Sequence, residues 1–122
     1  MVFGIICLFY FIYKFNFNIL RAFYAGCLFS FGQLFFGLYW IAYAFEYTSK
    51  GGVFIGFIAI IFLTFFMSIF TGVFCALSIF LKDFWNLNIF GFSLVFASLL
   101  SFGEYLRGNL FGGFPWNILG YV

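Results

Sequence analysis

Pairs of charged residues divide this chain into four apolar segments. The charged residues that mark the boundaries are Lys14 and Arg21, Glu46 and Lys50, Lys82 and Asp83, and Glu104 and Arg107. A helix that crosses the hydrocarbon core of a membrane needs about 20 apolar residues. The pattern therefore predicts an all-α fold: a polytopic transmembrane helical bundle with about four spans, at 2–13, 22–45, 53–81 and 87–103.

Two of the four segments have unusual lengths. Segment 2–13 is too short to cross a membrane at about 1.5 Å of rise per residue, so we interpret it as the partial remainder of a longer span. Segment 53–81 would be about 43 Å long as one straight helix, and we expect it to tilt or bend. The chain is treated as a single transmembrane domain over residues 1–122.

The composition is typical of a protein embedded in a membrane. Apolar residues make up 67% of the chain and charged residues only 7%, against about 25% charged residues in a soluble domain. The net charge of +2 is too small for a nucleic-acid partner. The chain has no His, and its three Cys lie singly in apolar runs, so we expect no metal and no cofactor.

The loops predict an orientation in the membrane. The loop from Lys14 to Arg21 carries two basic residues, and each of the other two loops carries one. Because basic residues are enriched in cytoplasmic loops, this loop is predicted to be cytoplasmic. The end of the fourth span then lies on the outer side.

Small and weakly polar residues recur at helical spacing in three of the segments. In membranes such residues mark the surfaces where helices pack, so we predict that each stripe faces another helix. The stripes are Gly26, Ser30, Gln33, Gly37 and Trp40; Thr64, Ser68, Thr71, Cys75 and Ser78; and Ser93, Ala97, Ser101, Glu104 and Gly108. Trp40 also neighbours Tyr39 and Tyr43, and these rings are either an interface anchor or a platform for a lipid substrate.

Two ionisable residues end the fourth segment. Glu104 and Arg107 share a helix face and can pair, which lowers the cost of about 2.5 to 3.5 kcal/mol for each charge at mid-membrane. After them, Pro115 disfavours helix at the preceding residue, and two glycines permit a turn. We predict a broken or re-entrant segment over 108–117, which is either the rim of a substrate pocket or purely structural.

At these residues the sequence resembles a known family. Glu104-Tyr105-Leu106-Arg107-Gly108, then Gly113-Phe114-Pro115-Trp116, then Leu119-Gly120-Tyr121 are similar to the signature of apolipoprotein N-acyltransferases. The second segment supports the resemblance with Gly26, Phe31-Gly32, Gly37 and Tyr39-Trp40.

The resemblance implies a multi-pass enzyme of the cell inner membrane with an extracytoplasmic nitrilase-like domain. Such an enzyme transfers an acyl chain from a phospholipid donor to the amino group of the S-diacylglyceryl cysteine of an apolipoprotein acceptor. The Glu, Lys and Cys that the family uses for catalysis match no residue of this chain, so we assign no catalytic residue and expect the fragment alone to be inactive. The residues expected to bind substrate are Trp40, Glu104, Arg107, Gly113, Phe114, Pro115 and Trp116.

Two alternatives stay open at this point. The chain is also compatible with a small helical membrane protein, such as a channel, a transporter subunit or an assembly factor, in which Glu104 and Arg107 line a pathway. The second alternative is an inactive truncated remnant of the acyltransferase.

Overall fold

The computed structural model describes residues 2–47 and 52–110, and within them almost every residue is helical. The elements are α1 (Val2–Lys14), α2 (Ile19–Leu38), α3 (Ile41–Ala44), a 3₁₀ turn (Phe45–Tyr47), α4 (Gly52–Phe84) and α5 (Ile89–Leu110). Helices α2, α4 and α5 are long and apolar enough to cross a membrane, whereas α1 is shorter. The prediction of an all-helical membrane protein is confirmed.

The second apolar segment forms two helices, where the sequence predicts one span over 22–45. Helix α2 ends at Leu38. There the indole Nε1 of Trp40 donates to the main-chain oxygen of Gly37 at 3.1 Å. The amides of Ala42 and Tyr43 then bond to carbonyls only three residues back, at 3.1 and 3.2 Å. The backbone therefore forms a tighter turn after Leu38, with hydrogen bonds three residues apart, and a new short helix starts there.

Helix α5 extends beyond its predicted end near residue 103 and reaches Leu110. Glu104 and Arg107 consequently lie inside the helix, where residues three apart are neighbours on one face. The segment predicted to be irregular over 108–117 is helical through 110, and its remainder lies outside the described residues.

The turns that join α1 to α2 and α4 to α5 are built alike. Asn16 in the first turn and Asn86 in the second adopt positive φ values of 41° and 50°. Asn is one of the few residues other than Gly that tolerates this left-handed conformation. In each turn the next amide bonds to the carbonyl five residues back, at 3.3 and 3.0 Å, which is the Schellman arrangement that ends a helix.

A second asparagine starts the following helix in both turns. The side-chain oxygens of Asn18 and Asn88 each accept a hydrogen bond from the main-chain amide three residues on, at 2.9 Å. Such N-caps satisfy amides that have no partner within the helix. The sequences F-N-F-N-I at 15–19 and W-N-L-N-I at 85–89 thus encode two helical hairpins with the same turn.

The two turns lie at the same end of the bundle. Lys82, at the end of α4, donates from Nζ to Oδ1 of Asn16 at 3.2 Å. Its ammonium group also lies 5.3 Å from the centre of the Tyr13 ring and 5.7 Å from that of Phe92. A cation over an aromatic face is attracted by the ring, so Lys82 ties α1, α4 and α5 together here.

Helices α2 and α4 approach most closely where two glycines meet. A Cβ atom added at Gly26 would lie 2.8 Å from the sulfur of Cys75 and 3.0 Å from the Cα of Gly72. A Cβ atom added at Gly72 would collide with the sulfur of Cys27. Small residues allow this backbone contact, which is the usual way that membrane helices gain packing energy.

The predicted stripes on α2 and α4 form this interface in large part. Gly26 and Ser30 are buried, as are Thr64, Ser68, Cys75 and Ser78. The hydroxyl of Thr71 donates to that of Ser30 at 3.0 Å and so links the two stripes. Gln33 and Gly37 are half-buried, and Trp40 is exposed. The prediction is confirmed for the middle of each helix and fails at Trp40, where α2 has ended.

The stripe predicted on α5 faces the bundle only in part, since Ser93, Glu104 and Gly108 are half-buried. Ala97 and Ser101 are exposed, whereas Phe92 and Phe96 are buried. The Phe9 ring of α1 packs against both, with centroid distances of 5.2 and 5.4 Å. Large rings bridge α1 and α5, so this contact needs no small residues.

We predict that Gly26→Leu destabilises the bundle by about 1 to 3 kcal/mol, because the side chain overpacks the contact with α4. Gly32→Leu is the matched control, since a Cβ at Gly32 meets nothing within 4 Å and leucine favours helix over glycine. Unfolding by SDS, followed by circular dichroism in mixed micelles, gives the two midpoints. Equal midpoints for the two variants would show that the contact is not tightly packed.

Candidate functional site

An ion pair lies in the last turns of α5. Nη2 of Arg107 is 2.7 Å from Oε2 of Glu104, and their side chains are only 7% and 14% exposed. The spacing of three residues on one helix makes this contact local. Arginine near the C-terminus of a helix also faces the negative end of the helix dipole.

Packing against α4 holds this part of α5 in place. A Cβ atom added at Gly103 would overlap the ring of Phe74. The ring of Phe102 makes an edge contact with the same Phe74, with centroids 6.1 Å apart and planes at 89°. The helix that carries Glu104 and Arg107 therefore lies directly against α4.

The guanidinium group of Arg107 is incompletely bonded. Its Nη1 atom is buried, and among residues 2–47 and 52–110 no acceptor lies within hydrogen-bond distance. Leaving a buried donor without a partner costs about 1 to 3 kcal/mol, and more for a charged group. The ion pair with Glu104 therefore offsets only part of the cost of burying this charge.

The ion pair and Trp40 lie toward the same end of the bundle. Helices α2 and α5 both start from the two matched turns, which Lys82 and Asn16 hold together. Their far ends are consequently both at the opposite side of the membrane. Arg107 lies about 27 Å along α5 from Ile89, close to the thickness of about 30 Å of a hydrocarbon core.

Trp40 occupies the connection between α2 and α3. Trp40 is 49% exposed, and the exposed residues Tyr39 and Tyr43 lie close to it in sequence. Its hydrogen bond to Gly37 fixes the indole edge toward the end of α2. These rings have the exposure expected of residues at the membrane interface.

The structure brings two of the predicted substrate-binding residues, Glu104 and Arg107, into direct contact. It places Trp40 just after the end of α2, on the same side of the membrane as the ion pair. The remaining four, Gly113, Phe114, Pro115 and Trp116, lie outside the described residues.

Within 2–47 and 52–110, no group of three or more His, Cys, Asp or Glu side chains could hold a metal ion. Cys7, Cys27 and Cys75 are free thiols. An apolar groove of about 340 Å³ lies between α1 and α2, lined by residues that include Gly4, Phe11 and Phe29, and it contains none of the predicted site residues. A guanidinium with a carboxylate partner can orient anions and carbonyl oxygens.

Comparison with known protein families gives one match that covers the whole chain. Residues 1–122 match the family described as the apolipoprotein N-acyltransferase N-terminal domain. No solved structure is significantly similar to the chain.

Curated relatives carry the same family name. The chain is 39% identical over 98 residues to an apolipoprotein N-acyltransferase of Rhodopseudomonas palustris, which covers 80% of this chain and 18% of the relative. It is 37% identical over 102 residues to an apolipoprotein N-acyltransferase of Rhizobium rhizogenes, with 82% and 18% covered. The chain thus spans about a fifth of the length of these relatives.

We predict that Glu104→Ala destabilises the protein more than the double change Glu104→Gln with Arg107→Met. The first variant leaves a buried guanidinium without its carboxylate, a change that costs about 3 to 5 kcal/mol in other buried pairs. The second removes both charges and approximately keeps the side-chain volumes. SDS unfolding midpoints measure both, and a double variant as unstable as Glu104→Ala would show that the charges matter little.

Proposed function

Because the chain belongs to the apolipoprotein N-acyltransferase family, we propose that it is part of the membrane domain of an enzyme that acylates lipoproteins. The donor is a phospholipid, and the acceptor is the amino group of the S-diacylglyceryl cysteine of an apolipoprotein. The catalytic residues lie in a nitrilase-like domain outside this chain. The chain itself contributes substrate binding and needs neither a metal nor a cofactor.

The observation that supports this proposal most is the buried ion pair of Glu104 and Arg107. These residues stand in the stretch that resembles the family signature, and their side chains are largely buried near the end of a transmembrane helix. Ionisable groups within spanning segments are energetically costly, and each is by default a hypothesis for a functional site. A pair at the membrane boundary suits an entrance through which a lipid headgroup must pass.

Three parts of the chain form this entrance in our proposal. Glu104 and Arg107 provide charge at the end of α5, and Trp40 provides an aromatic surface at the end of α2. The signature residues Gly113 to Trp116 are assigned to the rim of the entrance in the same proposal. The acyl chains of the donor stay in the bilayer, since exposed aromatic and aliphatic side chains cover the outside of the helices.

We place the protein in the cell inner membrane with the matched turns on the cytoplasmic side. Lys14, Arg21 and Lys82 all lie at or beside these turns. This distribution agrees with the enrichment of basic residues in cytoplasmic loops. The ends of α2 and α5 then face outward, where a lipoprotein acceptor is displayed.

The alternative of a channel, transporter subunit or assembly factor has no support from the comparisons. The family and the relatives that match are all apolipoprotein N-acyltransferases. An inactive remnant is distinguished from a working enzyme by the coding sequence around this chain. A reading frame that continues into a nitrilase-like domain with a Glu, Lys and Cys set indicates the enzyme.

We predict that residues 1–122 support acyl transfer when they replace the matching region of a full-length relative, whereas the fragment alone is inactive. In this chimera, Glu104→Ala and Pro115→Ala should each lower the rate at least about tenfold, which is the loss of roughly 1.4 kcal/mol of transition-state stabilisation. The assay follows the conversion of a diacylated to a triacylated lipopeptide.

Ala97→Ser serves as the control, because this residue is exposed on α5 and has no assigned role. Membrane amounts of all variants are compared by immunoblotting. Full activity of Glu104→Ala and Pro115→Ala at normal expression would remove these residues from any functional role.

A further inference from the structure

Gly56 lies within α4 and is buried, although glycine is less favourable than alanine inside a helix. A glycine at such a position often marks the close approach of another backbone. That backbone belongs to α3 here: a Cβ atom added at Gly56 would lie 2.6 Å from the carbonyl oxygen of Ala42 and 2.8 Å from its Cα. Helices α3 and α4 therefore touch through main-chain atoms.

Ala42 has little freedom to yield to a larger residue at this contact. It is completely buried, and both of its main-chain polar groups are bonded. Its amide donates to the carbonyl of Tyr39 at 3.1 Å, and its carbonyl accepts from the amide of Phe45. Main-chain atoms cannot rotate away as a side chain can, so a side chain in place of Gly56 would have to displace α3 as a unit.

Further hydrogen bonds connect this part of α3 to Trp40. The amide of Tyr43 donates to the carbonyl of Trp40 at 3.2 Å, and the indole of Trp40 donates to the carbonyl of Gly37 at 3.1 Å. The ring of Tyr43 also makes an edge contact with the ring of Phe57, the next residue of α4, with centroids 6.4 Å apart. A displacement of Ala42 would therefore move Trp40 as well.

Trp40 combines an exposed side chain with a fixed base. The residue itself is half exposed, whereas Ala42, two residues on, is buried against α4. A ring that only anchors a protein at the membrane interface needs the right depth but no fixed orientation. A ring that binds a ligand gains from being held in place by the packing and hydrogen bonds around it. The contact of Ala42 with Gly56 favours the second role.

We propose that Gly56 is a positioning residue for Trp40: its lack of a side chain lets α3 rest on α4, and this holds the indole in the orientation that receives the phospholipid donor. The proposal rests on the proposed function in assigning Trp40 to the substrate entrance. Gly56 is buried beneath α3, so it acts on the donor only through Trp40. Its replacement should therefore weaken donor binding and leave the chemical step unchanged.

The first test measures the position of Trp40 in the full chain in phospholipid nanodiscs. The chain has three tryptophans, and Trp85→Phe with Trp116→Phe leaves Trp40 as the single indole. Lipids that carry bromine at different depths of their acyl chains quench its fluorescence by contact. Gly56→Ala should change the ratio of shallow to deep quenching by about twofold or more, because overpacking shifts the backbone of α3. Gly32→Ala is the matched control, since its Cβ meets nothing within 4 Å, and it should leave the ratio unchanged.

The second test separates donor binding from chemistry in the active chimera. Gly56→Ala should raise KM for the phospholipid donor about fivefold and change kcat by less than about twofold, as expected when a contact equal in ground state and transition state is lost. A loss of folded protein would instead lower kcat at constant KM. Added to Trp40→Ala, the same change should raise KM no further, because two substitutions that act through one residue are not additive.

Additive effects of the two substitutions, a fall in kcat at constant KM, or unchanged quenching of Trp40 would overturn the proposal. If Trp40→Ala leaves KM unchanged while Gly56→Ala still shifts the quenching, the proposed binding role of Trp40 fails and the positioning by Gly56 stands. If Gly56→Ala does not accumulate in membranes, Phe57→Leu replaces it, since it removes the ring contact with Tyr43. This variant should shift the quenching of Trp40 as well, and the absence of a shift would overturn the proposal.

Discussion

The contact between the backbones of α2 and α4 at Gly26 and Gly72 sets the geometry of the whole bundle. No hydrophobic force drives helices together inside a membrane, so close packing must provide much of the attraction. The sulfurs of Cys27 and Cys75 fill the space beside the two glycines. The hydroxyls of Ser30 and Thr71 add a hydrogen bond across the interface. Helix α5 packs on α4, and so the position of the ion pair depends on this contact as well.

Burying the ion pair of Glu104 and Arg107 costs free energy, and packing elsewhere in the fold has to offset that cost. The pair lies where α5 packs on α4 through Gly103 and Phe74. A site on a rigid helix keeps its geometry better than one on a loop. The fold therefore holds a charged pair in a fixed position near one end of the bundle.

Much of the fold could be predicted from the sequence, because charges are rare enough to mark the ends of most helices, although α5 continues past Glu104 and Arg107 to Leu110. The pairing of Glu104 with Arg107 also followed from their spacing alone. The division at Trp40 could not be predicted, since it depends on an indole that bonds to the Gly37 carbonyl. The buried face of α5 was predicted only in part: the small residues Ala97 and Ser101 are exposed, while the ring of Phe9 on α1 packs against Phe92 and Phe96. Which face of a helix is buried depends on contacts with helices that are distant in sequence. The binding roles of Trp40 and of Gly113 to Trp116 stay predictions.

The two matched turns have a consequence for how the chain encodes its helix reversals. The hairpin that turns at F-N-F-N-I and the one that turns at W-N-L-N-I point the same way, because both turns lie at one end of the bundle. Each hairpin carries its own chain reversal and its own cap, and Lys82 joins the two on one side. The chain thus carries the same signal for helix reversal twice, once in each hairpin.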